Sequence, residues 1–193
     1  MVKTLLKEVK EYKKDTILSP VYVSIEAILE VFIPFLMAIL VDNGIEKGDM
    51  SSIWFYGFLM LVAAFVSLWA GAKSGKHAAI ASSGFAKNLR KAEYRNIQNF
   101  SFSNIDAYST SGLITRMMTD VTNIQNAYQM MIRVCVRAPL MLIASLIMAF
   151  IINKEMAMIY VVVVLILGVI LFGIIFIVSP IVSRLFSRYD TLH

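Results

Sequence analysis

Met156 to Ser179 is a run of 24 residues without one charged side chain. As α-helix it would rise about 36 Å, more than the ~30 Å hydrocarbon core of a bilayer, so its polar backbone is satisfied internally while its surface faces lipid. A chain with such a run folds with the membrane as part of its solvent. Three further runs share this character. Ile17 to Val41 holds 25 residues broken only by Glu26 and Glu30. It is long for the apolar part of a cleavable signal, and Asp42-Asn43-Gly44 is not a small-residue cleavage site, so the sequence predicts a retained first span. Ile53 to Gly71 carries Trp54 and Tyr56 where an interfacial aromatic belt would lie. Ala138 to Ile152 has only 15 residues. It must borrow from the preceding turn through Cys135, leaving Arg133 and Arg137 to snorkel or to face a watery cavity. The expected fold is all-α, a polytopic membrane protein with four transmembrane helices at about 17–41, 53–71, 134–152 and 156–179. With 59% hydrophobic and 16% charged residues, a water-soluble globular enzyme is excluded.

The cations are arranged in stripes between these runs. Of the 18 Lys and Arg, five lie in 1–16, nine in 72–137 and two in 180–193, leaving Lys47 and Lys154 for the turns 42–52 and 153–155. Positive charge marks cytoplasmic segments, so both ends and the long middle are expected on that side of a plasma membrane. The net charge of +5 is thus a topology signal and not a nucleic-acid footprint. Cys135 is the single cysteine, which permits no internal disulfide; it reads as a small apolar residue. In 1–16, Leu5, Leu6 and Val9 recur among Lys3, Lys7, Lys10, Lys13 and Lys14, the pattern of an amphipathic elbow helix on the inner leaflet.

The middle segment, 72–133, is too long for a simple loop. From Ala72 to Gln98 there is no proline, and Phe85, Leu89, Ala92 and Ile97 recur at roughly helical spacing while Lys87, Lys91 and Arg95 share another face. The second span is therefore expected to continue into the cytoplasm. Leu113 to Ile152, interrupted only by Pro139, would return beside it. Between them Ser101 to Ser111 has the Ser, Asn, Asp and Tyr chemistry of caps and turns.

Three constellations bear on function. Gly75-Lys76 invites a phosphate-loop reading, but Ala70 stands where the first glycine is needed and His77 where Ser or Thr is, with no strand before it. Lys73 and Lys76 read as interfacial anchors and His77 as a headgroup-level polar residue. Glu26 and Glu30, at i and i+4 inside a span, share a helix face. They either form a proton or cation site or face a hydrated vestibule paired with a cation such as Arg133 or Arg137. Arg116 and Asp120 are also at i and i+4, with Arg90 and Arg95 at comparable depth on the partner helix.

The run Ile105-Asp106-Ala107-Tyr108-Ser109-Thr110-Ser111-Gly112-Leu113-Ile114-Thr115-Arg116, followed by Asp120-Val121, resembles the first intracellular loop of ABC exporters with a type I transmembrane domain. The order of elements is similar too: an elbow, a first span ending in Asp42-Asn43-Gly44-Ile45, a very long second helix, the loop, and a third helix with a short outer turn. The resemblance implies that Ile105 to Ser111 forms a coupling loop seated on a nucleotide-binding domain, braced by Arg116 and Asp120. Ile105, Ser111 and Gly112 depart from the commoner pattern in a way similar to the heterodimeric branch, which implies a second, non-identical subunit.

Phosphate-loop and signature motifs are absent from the sequence, so the resemblance implies no catalytic residue, cofactor or metal site in this chain. ATP and Mg²⁺ would belong to a separate nucleotide-binding domain, and the whole transporter would be the ATPase. Four spans against the family's six imply an incomplete transmembrane domain over 17–193. The expected function is the permease part of an ATP-driven exporter of an unidentified substrate. Two other readings use the same residues: a four-span ion- or proton-coupled carrier built on Glu26 and Glu30, or a membrane scaffold that docks a cytosolic partner.

Overall fold

The computed structural model describes residues 7–99 and 110–189, and no strand occurs among them. The elements are a 3₁₀ segment Lys7–Tyr12, α1 (Lys13–Leu40) running into a π-turn Val41–Ile45, and α2 (Met50–Gln98). Then come α3 (Thr110–Thr115), a second π-turn Arg116–Asp120, α4 (Val121–Ile152) and α5 (Lys154–Tyr189). Among the described residues, four helices are long and apolar enough to cross a membrane. The chain divides into two compact units, Met1–Ala144 and Ser145–His193.

In the first unit, α2 is unbroken over 49 residues, a rise of about 74 Å, more than twice the hydrocarbon thickness. Gly48 adopts φ +65° in the turn before it, a conformation open to glycine without strain. Asp49 then caps the helix, accepting from Ser51 N–H at 3.1 Å and from Ser52 Oγ at 2.6 Å. Along its buried side Ala63, Ser67, Ala70, Ser74, Ala78 and Ala81 follow one another at three or four residues. Small side chains at that spacing let two helices approach closely where no hydrophobic drive exists. α1 answers with Ser19, Val23 and Ala27, all fully buried. At the centre of the contact Ser19 Oγ donates to the Ser74 carbonyl and Ser74 Oγ to the Ser19 carbonyl, both at 3.1 Å. Pro20 and Pro34 lie inside α1 without ending it.

α4 joins this pair largely through long side chains. Tyr128 stacks obliquely on Phe85 with ring centroids 4.6 Å apart, and its hydroxyl lies 2.9 Å from Thr16 Oγ1. Val9, Phe85, Leu89, Val121, Tyr128 and Ile132 form the buried cluster at this end. Farther along, Ser82 Oγ donates to Gln129 Oε1 and Gln125 Nε2 to Ser83 Oγ. Pro139 sits within α4 without ending it.

The amphipathic helix expected over 1–16 takes a different form in its described part. Lys7–Tyr12 is a tight 3₁₀ segment interrupted at Lys10 (φ 39°, ψ −113°), and regular helix begins at Lys13. The physical reason is contact with α2. Val9 is buried in the core cluster, Asn88 Nδ2 donates to the Glu8 carbonyl at 2.9 Å, and the Tyr12 ring covers Gly84 so closely that a Cβ there would collide with it. The turn expected over Ser101 to Ser111 is shorter at its end, since Thr110 and Ser111 are already helical.

In the second unit Asn153 alone interrupts the helix. Its Oδ1 accepts the N–H groups of Glu155 at 2.9 Å and Met156 at 3.2 Å, an N-cap that restarts the chain as α5. α5 continues past Ser179 to Tyr189. Its apolar side chains, Val169, Leu171, Phe172 and Phe176 among them, are exposed, as a lipid-facing helix requires.

Candidate functional site

The charged residues of the first and third spans meet. Glu26 and Glu30 project from one face of α1, one turn apart, and Arg133 and Arg137 project from α4 with the same spacing. Arg137 Nη1 donates to Glu26 Oε1 at 3.1 Å, and Nη2 donates to both oxygens of Glu30 at 2.7 Å. Arg133 Nη2 lies 3.9 Å from Glu26 Oε2, an ion pair beyond hydrogen-bond reach. Glu26 Oε2 is buried and accepts no hydrogen bond within the described structure. Two carboxylates and two guanidinium groups balance in charge, which allows four ionisable side chains inside membrane-length helices.

Sequence reasoning missed the residue that makes room for them. Gly71 on α2 faces Glu26, and a Cβ at that position would lie 2.9 Å from Oε1 and 3.2 Å from Oε2. One turn on, Gly75 lies beside Arg133. The spacing of these glycines, i and i+4 at the level of two charged neighbours, was a visible signal. Beside the cluster an open recess of about 460 Å³ is lined by Glu26, Glu30, Ile33, Ser67, Leu68 and Arg133, among others.

Nearer the start of α1, Asp15 Oδ1 and His77 Nδ1 are 2.7 Å apart, so His77 is joined to a carboxylate. Tyr22 stacks on its imidazole at 5.6 Å and meets Trp69 edge-on, and Lys73 Nζ lies 5.7 Å from the Trp69 ring centre. The indole and ammonium together form an aromatic and basic patch of the kind that anchors helices at a membrane interface.

Of the expected coupling loop, Ile105, Asp106, Ala107, Tyr108 and Ser109 lie outside the described residues. Thr110 and Ser111 open α3, and Arg116 begins the π-turn; the side chains of these three also lie outside the description. Asp120 ends that turn and is exposed. The described grip on this region comes from Arg90 of α2. Its Nε donates to the Met117 carbonyl at 3.3 Å and its Nη2 to Thr122 Oγ1 at 3.1 Å, while Thr122 Oγ1 donates to the Met118 carbonyl at 2.6 Å. A π-turn disturbs the regular helical ladder, and side chains take up the carbonyls it displaces. Glu93, one turn along α2, has its carboxyl raised above the usual range by burial and by the Asp120 charge, with Arg90 acting in the opposite sense.

Membrane-length helices, a charge-balanced cluster between spans, and a helix more than twice the bilayer core in length define a multi-pass helical membrane domain. The chain belongs to the ABC transporter transmembrane region family, which it matches over residues 16–191. It is 34% identical over 131 residues to the uncharacterized ABC transporter ATP-binding protein YfiB of Bacillus subtilis (strain 168), covering 68% of this chain and 23% of that protein. It is also 28% identical over 203 aligned positions, across its whole length and 33% of theirs, to Mb1304c of Mycobacterium bovis and Rv1273c of Mycobacterium tuberculosis. Both carry the same uncharacterized ABC transporter ATP-binding description. The chain thus spans about a quarter to a third of the curated relatives it matches.

Proposed function

We propose that the chain is the permease part of an ATP-driven ABC exporter, turning ATP binding and hydrolysis on a nucleotide-binding domain into alternating access for a substrate. The observation that carries this reading is the length of α2, together with the family match. A 49-residue helix extends tens of ångströms beyond any bilayer it crosses, and a carrier with short loops has no use for that extension. The names of the relatives, ATP-binding proteins about three to four times as long as their matched segment, support a nucleotide-binding partner. ATP and Mg²⁺ act there, in the whole ATPase.

In this reading Ile105 to Ser111 docks on that domain, and Arg116 and Asp120 brace the loop. A second, non-identical subunit completes the pathway. The protein sits in the plasma membrane with both ends cytoplasmic, as the stripes of Lys and Arg favour. The carrier reading is weakened because Arg137 occupies both Glu26 and Glu30.

The test uses the complete transporter in liposomes. Tyr108→Ala should leave membrane insertion and ATP binding intact while weakening substrate-stimulated ATPase and transport per ATP, because an aromatic seated in a partner pocket is a typical binding anchor. Full coupling in Tyr108→Ala and across substitutions of Ile105 to Ser111 would remove the docking role from the loop.

A further inference from the structure

We infer that the recess beside Glu26 is a binding site for a primary ammonium carried on an apolar body, with Glu26 Oε2 as its acceptor and Arg133 as the displaceable cation that covers it. The inference deepens the exporter reading and rests on it for the identification of the occupant as a transported molecule.

Glu26 is 9% exposed, and its two oxygens are treated unequally. Oε1 accepts a hydrogen bond from Arg137 and Oε2 accepts none. A buried carboxylate oxygen without a donor is costly, and a charge-assisted hydrogen bond there is worth more than a neutral one. A second cation, Arg133, stands 3.9 Å from Oε2, close enough to balance charge and too far to satisfy the oxygen. Its long stem gives it other positions to occupy. Arg137, held by three short contacts to both carboxylates, stays in place.

The walls set the rest of the ligand. The recess is lined by Ile33 of α1 and by Ala64, Ser67, Leu68, Gly71 and Ala72 of α2, beside the charged residues. Its volume of about 460 Å³ lies within the usual range for small-molecule pockets. An ammonium replacing Arg133 at Oε2 would keep the local charge balanced while its apolar portion lay on Ile33 and Leu68. A carboxylate or phosphate would meet Glu26 and Glu30 as like charges, and a neutral molecule would leave Oε2 without a charged donor.

The test is equilibrium binding of dansylcadaverine to the complete transporter in nanodiscs without nucleotide, read by the blue shift of the dansyl emission. N-acetyl-dansylcadaverine serves as the neutral probe and dansylglycine as the anionic one. Saturable binding of the ammonium probe is expected, weakened roughly tenfold or more by Glu26→Gln, the loss of a charge-assisted bond. Arg133→Ala should strengthen it, and Ala64→Leu, which narrows the recess without changing charge, should weaken it. Should Glu26→Gln fail to fold, Arg133→Ala and Ala64→Leu decide the question.

Equal binding of the neutral probe, unchanged affinity in both Arg133→Ala and Ala64→Leu, or preferential binding of dansylglycine lost in Arg133→Ala would overturn the assignment. Failure of the two readings is separable. Ammonium binding without ATP-driven movement of any substrate counts against the exporter, whereas ATP-driven transport with no ammonium site counts against the recess.

Discussion

Arg137 holds Glu30 through one nitrogen placed 2.7 Å from both carboxylate oxygens, and this contact ties α4 to α1 across 107 positions of sequence. Removing the guanidinium leaves Glu26 buried without its hydrogen bond. Arg137→Ala should therefore destabilise the protein by roughly 2–4 kcal/mol, discounted from a fully buried pair because Arg137 is partly exposed. Combining Arg133→Met and Arg137→Met with Glu26→Gln and Glu30→Gln should recover much of that loss, since no uncompensated charge remains. Thermal unfolding of the purified variants in detergent checks both; equal losses in the single and quadruple variants would mean that the cluster contributes by shape and not by charge.

Ser74 tests the close approach of α1 and α2. Ser74→Ala removes the bond that Ser74 Oγ donates to the Ser19 carbonyl and keeps the one that Ser19 Oγ donates to the carbonyl of residue 74, a cost of about 1 kcal/mol. Ser74→Leu places three heavy atoms beyond Cβ where serine has one, in a contact with no space, and should cost about 1–3 kcal/mol. Denaturant midpoints that rank Leu above Ala would contradict the packing described.

Glu93 gives a pH dependence whose sign is fixed by the direction of its shift. Its carboxyl is raised in the folded protein from a reference of 4.5 by burial and by Asp120. The native state therefore binds its proton more readily than the unfolded chain does, and stability falls as pH rises from about the reference value through the raised one. Glu93→Gln should flatten this slope. Asp49 acts in the opposite sense: its carboxyl is lowered from 3.8 by the Ser52 and Ser51 hydrogen bonds, so its contribution is present above 3.8 and lost as pH falls through the lowered value. Unfolding followed across that acid range in the wild type, Glu93→Gln and Asp49→Asn separates the two.

Arg90 is expected to matter for coupling more than for stability. Arg90→Ala releases the Met117 carbonyl and Thr122 at the base of the loop, loosening the π-turn while the buried cluster of Phe85, Tyr128 and Ile132 stays intact. In the complete transporter, substrate-stimulated ATPase should fall several-fold with unfolding temperature little changed, and Arg90→Lys should restore only part because it lacks the forked donors. A matched loss of stability and activity would reduce Arg90 to a structural contact.

Topology is checked independently of the family. With Cys135 replaced, single cysteines at Lys47 and Lys154 should react with an impermeant thiol reagent on intact cells, and one at Ser103 only after permeabilisation. Labelling of Ser103 from outside would invert or break the four-span arrangement.

The spans were legible because an apolar run of membrane length admits few structures, and the absence of proline from Ala72 to Gln98 foretold the unbroken α2. The meeting of Glu26 and Glu30 with Arg133 and Arg137 was legible as one of two alternatives, since a charge inside a span requires a partner. The break at Lys10 was not, because it depends on Val9 and Tyr12 finding Leu89 and Gly84 about 75 residues away. Nor was the Ser19 and Ser74 pair: hydroxyls in an apolar run usually bond their own helix, as Ser24 does to the Pro20 carbonyl. The orphan oxygen of Glu26 depends on how far Arg133 stands from it across two helices, a tertiary distance that no local pattern encodes.

The glutamates on α1 and the arginines on α4 share one interval, four residues, or about 6 Å of helix rise. Both helices therefore carry the same ruler. A shift of α4 along α1 by one turn would bring Arg133 to the level Arg137 now holds, in reach of Glu30, while Arg137 moved one turn beyond the carboxylates. Intermediate positions lack that match, so the cluster favours discrete registers over continuous sliding, the kind of stepwise movement that packed helices use when they pass from one arrangement to another.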